Sequence, residues 1–248
     1  MPPLVIAHRG DSARRPENTL ASFASALEVG AEILEFDVHL TRDGHVVVLH
    51  DAAVDRTTDG AGFVREMTLA EVRSLSAGYP SRFGDEYRGE RIPTLAEVLG
   101  HIRDRAIGMI EIKHDAVTAD AEGGIEAHTV AEVRKAGMEK QVALISFART
   151  ALLRCRSFAP DILRGHLFHR ASVEDVLAGA REIASTLVLP EKGMLSVELR
   201  DRARAAGIKV ASWVIDDPAE LPALAEFDLY GIGSNRPAEM MDAIRGEG

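Results

Sequence analysis

The chain has 248 residues, 46% of them hydrophobic, and a formal net charge of -10. A surface of that sign repels nucleic acid and anionic lipid headgroups. No apolar run approaches the roughly 20 residues of a membrane helix, the single cysteine, Cys155, excludes an internal disulfide, and the start Met1-Pro2-Pro3-Leu4 has no basic, apolar leader, so the expected compartment is the cytoplasm.

Apolar runs that read as strands alternate with helical patterns from Leu4 to Gly233. The first run, Leu4–Ala7, ends in His8-Arg9-Gly10. Leu20, Phe23, Ala24 and Leu27 then give the i, i+3, i+4, i+7 stripe of a helix. The second run, Ile33–Val38, contains Glu35-Phe36-Asp37. Thr41-Arg42-Asp43-Gly44 is a turn, so His45–Leu49 reads as a hairpin strand folding back on the second run and delivering His50-Asp51. From Ala52 to Arg91 the chain is rich in Gly, Asp and Arg, with one helical stretch at Thr68–Leu75, and reads as an insertion over the top of the fold. Thr68-Leu69-Ala70-Glu71 and Thr94-Leu95-Ala96-Glu97 are both capping boxes, that is, helix starts rather than an internal repeat. Further strands are expected at Ile107–Ile112, Val142–Ser146, Leu163–Phe168, Thr186–Leu189, Lys209–Val214 and Leu229–Ile232. Asp217-Pro218-Ala219-Glu220 opens another helix, with proline at its first position. Strands alternating with helices make a parallel sheet, and eight of them in this length favour a single closed (β/α)8 barrel over residues 1–248, with the insertion at about 52–91.

The strands buried on both faces end in charge, which is costly unless the charges are paired or bind a metal. Glu35 and Asp37 stand at i and i+2, on one side of a strand, and Glu111-Ile112-Lys113 repeats the spacing. Salt bridges or helix caps would account for any one of these residues. Their recurrence at the C-terminal ends, where barrels of this kind carry their active sites, argues for chemistry instead. Three carboxylates suit Mg²⁺ or Ca²⁺ better than zinc. His8 and His50 titrate in the range that acid–base work requires, and Asp51 either orients His50 or caps the next segment. His166 and His169 flank the end of the fifth parallel strand as candidate pocket residues. His101, His114 and His128 carry no assigned role, and Cys155 reads as a small buried hydrophobe on a helix.

In order and spacing, His8-Arg9-Gly10, Pro16-Glu17-Asn18-Thr19, Glu35-Phe36-Asp37-Val38, Thr41-Arg42-Asp43-Gly44 and His50-Asp51 resemble the glycerophosphodiester phosphodiesterases. So do Ile92-Pro93-Thr94-Leu95, Glu111-Ile112-Lys113, Ser146-Phe147 and Trp213. The resemblance implies a TIM barrel with its small insertion at Ala52–Arg91 and a divalent metal on Glu35, Asp37 and Glu111. It also implies His8 and His50 as the acid–base pair, with Arg9 and Lys113 on the phosphate. By analogy with the related phosphatidylinositol-specific phospholipases C, His8 is the base and His50 the acid. The implied substrate is a small glycerophosphodiester such as glycerophosphocholine, cut to glycerol 3-phosphate and an alcohol, which gives the protein a place in lipid and glycerol metabolism. Trp213 is either barrel filling or an apolar wall against glycerol or a choline-like cation. Two motifs depart from the family pattern: Val214-Ile215-Asp216 stands where many members have Thr-Val-Asn, and Ser234-Asn235 where many have Thr-Asp. The alternatives are a phosphodiesterase for larger lysophospholipids and a non-catalytic phosphodiester-binding barrel. A homo-oligomer stays open.

Overall fold

A computed structural model describes residues 2–246; the expected domain limits at 1 and 248, like the first residue of the leader reading, lie outside the described residues. Its parallel strands are β1 (Leu4–His8), β2 (Ile33–Leu40), β4 (Ile107–Ile112), β5 (Val142–Ser146), β6 (Leu163–Phe168), β7 (Leu187–Pro190), β8 (Lys209–Ser212) and β9 (Gly231–Ser234), and β3 (Val46–Val48) runs antiparallel to β2. The sheet order is β1-β9-β8-β7-β6-β5-β4-β2, and pairing of β1 with β2 closes it into a barrel. Helices α1 (Leu20–Glu28), α4 (Leu95–Ile102), α5 (Ile125–Ala136), α6 (Arg149–Phe158), α7 (Val173–Glu182) and α8 (Val197–Ala205) cross between the strands, and α10 (Pro237–Arg245) follows β9. No helix among the described residues is long and apolar enough to cross a membrane.

Alternation along the strands separates two cores. Ile6, Ile33, Met109, Ile145, Leu167 and Leu189 fill the barrel from within. Residues of opposite parity, such as Leu34, Phe36, Ile110 and Leu144, pack outward beneath α1 and α4 to α6. The same parity carries upward from Ile6 to His8, and from Ile33 to Glu35 and Asp37, so the charged positions face the barrel mouth.

Within the segment 52–91 lie two short helices, α2 (Leu69–Ser74) and α3 (Pro80–Phe83), one more than the sequence suggests. Val54, Val64, Val72 and Ala77 form a small core there with Val47 and Leu49 of the hairpin. Arg82 ties the segment to the β1–α1 loop by donating to the carbonyls of Ser12 (2.9 Å) and Ala13 (2.7 Å).

The last third departs from the sequence expectation. β8 stops at Ser212 and β9 begins at Gly231, two residues beyond the start of the apolar run. The inward positions of β9 are glycines, which have little strand propensity but admit neighbours: a Cβ on Gly233 would lie 3.1 Å from the Cβ of Trp213. The helix expected from Asp217 is broken into a 3₁₀ turn, Pro218–Glu220, the four-residue α9 (Leu221–Leu224) and a second 3₁₀ turn. Pro222 has no N–H to give to a continuous helix.

Candidate active site

Strand register assembles the site. His8 lies beside Glu35 across β1 and β2, and Asp37 lies beside Glu111 across β2 and β4. Lys113 follows β4 by one residue, and Leu49 N–H donates to the Asp37 carbonyl, which brings His50 to the same rim. A cleft of about 100 Å³ opens over these residues, its floor formed by the apolar barrel interior and one wall by Trp213 and Phe147. The two rings meet edge to face, 5.5 Å between centroids, and the Trp213 indole N–H donates to the Leu189 carbonyl. The structure thus brings together His8, Arg9, Glu35, Asp37, His50, Glu111, Lys113 and Trp213. None of the residues lining this cleft comes from 52–91.

The turn after β1 is tightly constrained. Arg9 has a left-handed backbone (φ 57°), and its N–H donates to the Glu35 carbonyl at 2.9 Å. Gly10 follows at φ 81°, where a Cβ would stand 2.5 Å from Ser22 Oγ, so this turn packs directly on α1.

Glu35, Asp37 and Glu111 are buried and offer oxygens that all lie within 4.8 Å of one another. Asp37 Oδ1 and Glu111 Oε1 share a single partner, Lys113 Nζ, at 3.3 and 2.9 Å, and no well-aligned hydrogen bond reaches either. Burial, then the charges of Asp37 and Glu111, push the Glu35 carboxyl well above the usual range. Glu111 is pushed up to about 7, by burial first and by Asp37 second, against the pull of Lys113. Burial acts on Asp37 in the same sense, but Arg9, Lys113 and His50 overcome it and hold that carboxyl at about 2. Three buried carboxylates, two of them resisting ionisation and with one lysine shared between two of them, suit a hard divalent cation.

The cations are already engaged: Arg9 with Glu17 (2.9 Å) and Asp37 (3.4 Å), Lys113 with Glu111 and Asp37. The histidines have different partners. His8 Nδ1 lies 2.8 Å from Asn235 Oδ1, whereas His50 Nδ1 lies 2.6 Å from Asp51 Oδ1. Burial and the neighbouring Arg9 lower His8 to about 4. His50 is lowered by burial too, with Asp37 and Asp51 opposing the shift.

Several contributors escape sequence reasoning. Asn18, left-handed at φ 58°, donates to Asp37 Oδ2 at 2.9 Å. His39 Nε2 lies 3.1 Å from the His50 carbonyl. Arg56, from the segment 52–91, donates to Asp51 Oδ2 (2.6 Å) and to both oxygens of Glu17 (2.8 and 2.9 Å), joining the partner of His50 to the partner of Arg9. Asn18 and Glu17 sit in a motif visible in the sequence, while Arg56 is one arginine among many in a turn-rich stretch. Of the two other histidine candidates, His169 packs edge to face on Phe147, 5.3 Å between centroids. His166 faces the other way, against Phe168 and Gly179 of α7, because it alternates along β6 with the inward Leu167.

The model of the glycerophosphoryl diester phosphodiesterase family matches residues 8–239. A glycerophosphodiester phosphodiesterase of Caldanaerobacter subterraneus is 38% identical over 246 residues, covering 99% of both chains. The structure of an Oleispira antarctica phosphodiesterase in complex with the product sn-glycerol-3-phosphate superposes with a TM-score of 0.84 at 30% identity, over 98% of this chain and 97% of the other. That of the Agrobacterium tumefaciens glycerophosphodiester phosphodiesterase gives 0.81 at 29% identity, over 96% and 99%.

Proposed function

The chain belongs to the glycerophosphoryl diester phosphodiesterase family and is an enzyme of that class. From that premise we propose that it hydrolyses small glycerophosphodiesters to glycerol 3-phosphate and an alcohol, with a divalent ion on Glu35, Asp37 and Glu111 and with His8 and His50 as base and acid. The observation that carries this reading is the cluster of three buried carboxylates, their oxygens within 4.8 Å of one another, at the same rim as two histidines with unlike partners.

When bound, Mg²⁺ or Ca²⁺ supplies Lewis acidity that draws charge from the phosphate oxygens. Arg9 and Lys113 stand beside the same carboxylates and neutralise charge that grows on those oxygens in the transition state. His8, lowered to about 4, is unprotonated at neutral pH, and its Nε2 lone pair accepts the proton of the attacking glycerol hydroxyl. As the new O–P bond forms and the old one breaks, His50 gives its proton to the departing alkoxide. Its contact with the Asp51 carboxylate opposes the lowering by burial and so works toward the protonated form that an acid needs. Water then opens the cyclic ester with the two roles reversed. Phe147 and Trp213 supply the apolar wall for glycerol or a choline-like alcohol. The negative surface and lone buried cysteine accord with a small-molecule substrate and a cytoplasmic location.

The test uses glycerophosphocholine and a nitrophenyl ester of glycerol phosphate, the latter needing no protonation of its leaving group. Chelation should abolish turnover of both and a divalent ion restore it. His8→Ala and His50→Ala should each lose about 10²–10⁴-fold in kcat on glycerophosphocholine. The activated ester should rescue His50→Ala alone. Rescue of His8→Ala instead would reverse the roles, and full activity in EDTA after dialysis would remove the metal.

A further inference from the structure

His8 reaches its amide partner across almost the whole chain, and that amide is itself held from behind. Asp216 Oδ2 accepts from Asn235 Nδ2 at 2.7 Å, while Asp216 Oδ1 accepts from Asn235 N–H (2.7 Å) and Ser234 Oγ–H (2.8 Å). A carboxylate can only accept, so the NH₂ of Asn235 must face Asp216 and its oxygen must face His8. Turned over, the Asn235 oxygen would stand 2.7 Å from a carboxylate oxygen with no proton between them. The correctly turned oxygen lies 2.8 Å from His8 Nδ1 and 2.9 Å from Ser12 Oγ, and it can only accept as well.

We propose that Asp216 and Asn235 are positioning residues that fix the tautomer of His8, keeping the proton on Nδ1 and the Nε2 lone pair free toward the cleft. The inference rests on the reading of His8 as the base. An imidazole in the other tautomer would present N–H to the attacking hydroxyl and could not take its proton. Asp216 acts through Asn235 without touching substrate, and the charge stands one hydrogen bond further from His8 than Asp51 stands from His50. Asp216 and Asn235, one from each of the two motifs that depart from the family pattern, are thus in direct contact, and they carry complementary donor and acceptor groups. Exchanging the two side chains would keep that complementarity. The amide, now at position 216, would donate to the carboxylate at position 235, and that carboxylate would accept from His8 Nδ1.

The test has a spectroscopic and a kinetic arm. In ¹⁵N-labelled protein without substrate, with the His8→Gln spectrum identifying the resonances, His8 should show a protonated Nδ1 and a bare Nε2 near pH 7. Asp216→Asn frees the Asn235 amide to turn and should move His8 toward the Nε2–H form. It should also lower kcat on glycerophosphocholine by about 10- to 100-fold with little change in KM. Asn235→Asp alone sets two carboxylates against each other and should lose a comparable factor. The exchange Asp216→Asn with Asn235→Asp should recover most of the activity and the Nδ1–H signature. An Nε2–H tautomer in the unmutated protein would overturn the proposal even if every variant misfolds. So would an exchange variant that folds yet is no better than the worse single variant. If instead His8→Ala keeps full activity while the tautomer is as stated, the base assignment has failed and the clamp on His8 stands.

Discussion

Replacing Glu111 by Gln should stabilise the metal-free protein while weakening its response to metal, a pairing of effects peculiar to a ligand site. In the folded chain the Glu111 carboxyl is pushed up to about 7, against 4.5 when unperturbed. Below pH 4.5 the carboxyl is protonated in both folded and unfolded chains, and it contributes no pH dependence. As pH rises from 4.5 to about 7, only the unfolded chain gives up the proton, so stability falls. At about 1.36 kcal/mol per pH unit the accumulated loss is about 3 kcal/mol. The isosteric amide removes that loss, but it also gives up the ion pair with Lys113 at 2.9 Å, and Lys113 keeps Asp37 at 3.3 Å. The net gain expected in EDTA at about pH 8 is therefore about 1–3 kcal/mol, or roughly 2–12 °C in Tm for a chain of this size. Adding Mg²⁺ or Ca²⁺ should raise the Tm of the unmutated protein and raise that of the variant much less. Thermal melts of both proteins, with EDTA and with each ion, decide the matter. A variant less stable than the parent in EDTA at that pH, or one with an undiminished metal response, would refute the reasoning.

Arg56→Met should lower kcat by about 10- to 100-fold, because the Asp51 carboxylate that orients His50 then loses its own anchor. Combining it with Asp51→Ala should cost no more than Asp51→Ala alone, and additive losses would show that Arg56 acts by another route. Cys155 is fully buried, and burial, with Glu126 nearby, pushes its thiol up to about 12. At about pH 8 a thiol reagent should therefore modify the native protein only as fast as the chain unfolds, with the rate rising on addition of urea. Rapid stoichiometric labelling of native protein would contradict that burial.

Much of the barrel and the core of the site was legible in the sequence, for a physical reason. A strand covered on both faces must be apolar along its length, so carboxylates within β2 and near the end of β4 stand out wherever they occur. Because strand side chains alternate strictly, Glu35 with Asp37 and Glu111 with Lys113 point the same way in any parallel sheet. These are local rules, and the chain obeys them through β6. They weaken at β8 and β9, where glycine has little strand propensity but leaves space beside Trp213. They weaken again at α9, where a capped helix start ran into Pro222.

Only the tertiary structure decided how the chemical groups are oriented. Asn235 lies 227 positions from His8 and Arg56 lies 39 from Glu17, and neither pairing leaves a periodic trace in the chain. Parity along a strand says which face a histidine takes, and so it sends His166 outward and His8 inward. It says nothing of which ring nitrogen holds the proton. That depends on whether an amide or a carboxylate stands behind the ring, and barrel closure brings those partners in from β9 and from the segment after β3. The identity of the charged groups was written locally, whereas their protonation and aim depend on contacts that exist only once the barrel has closed.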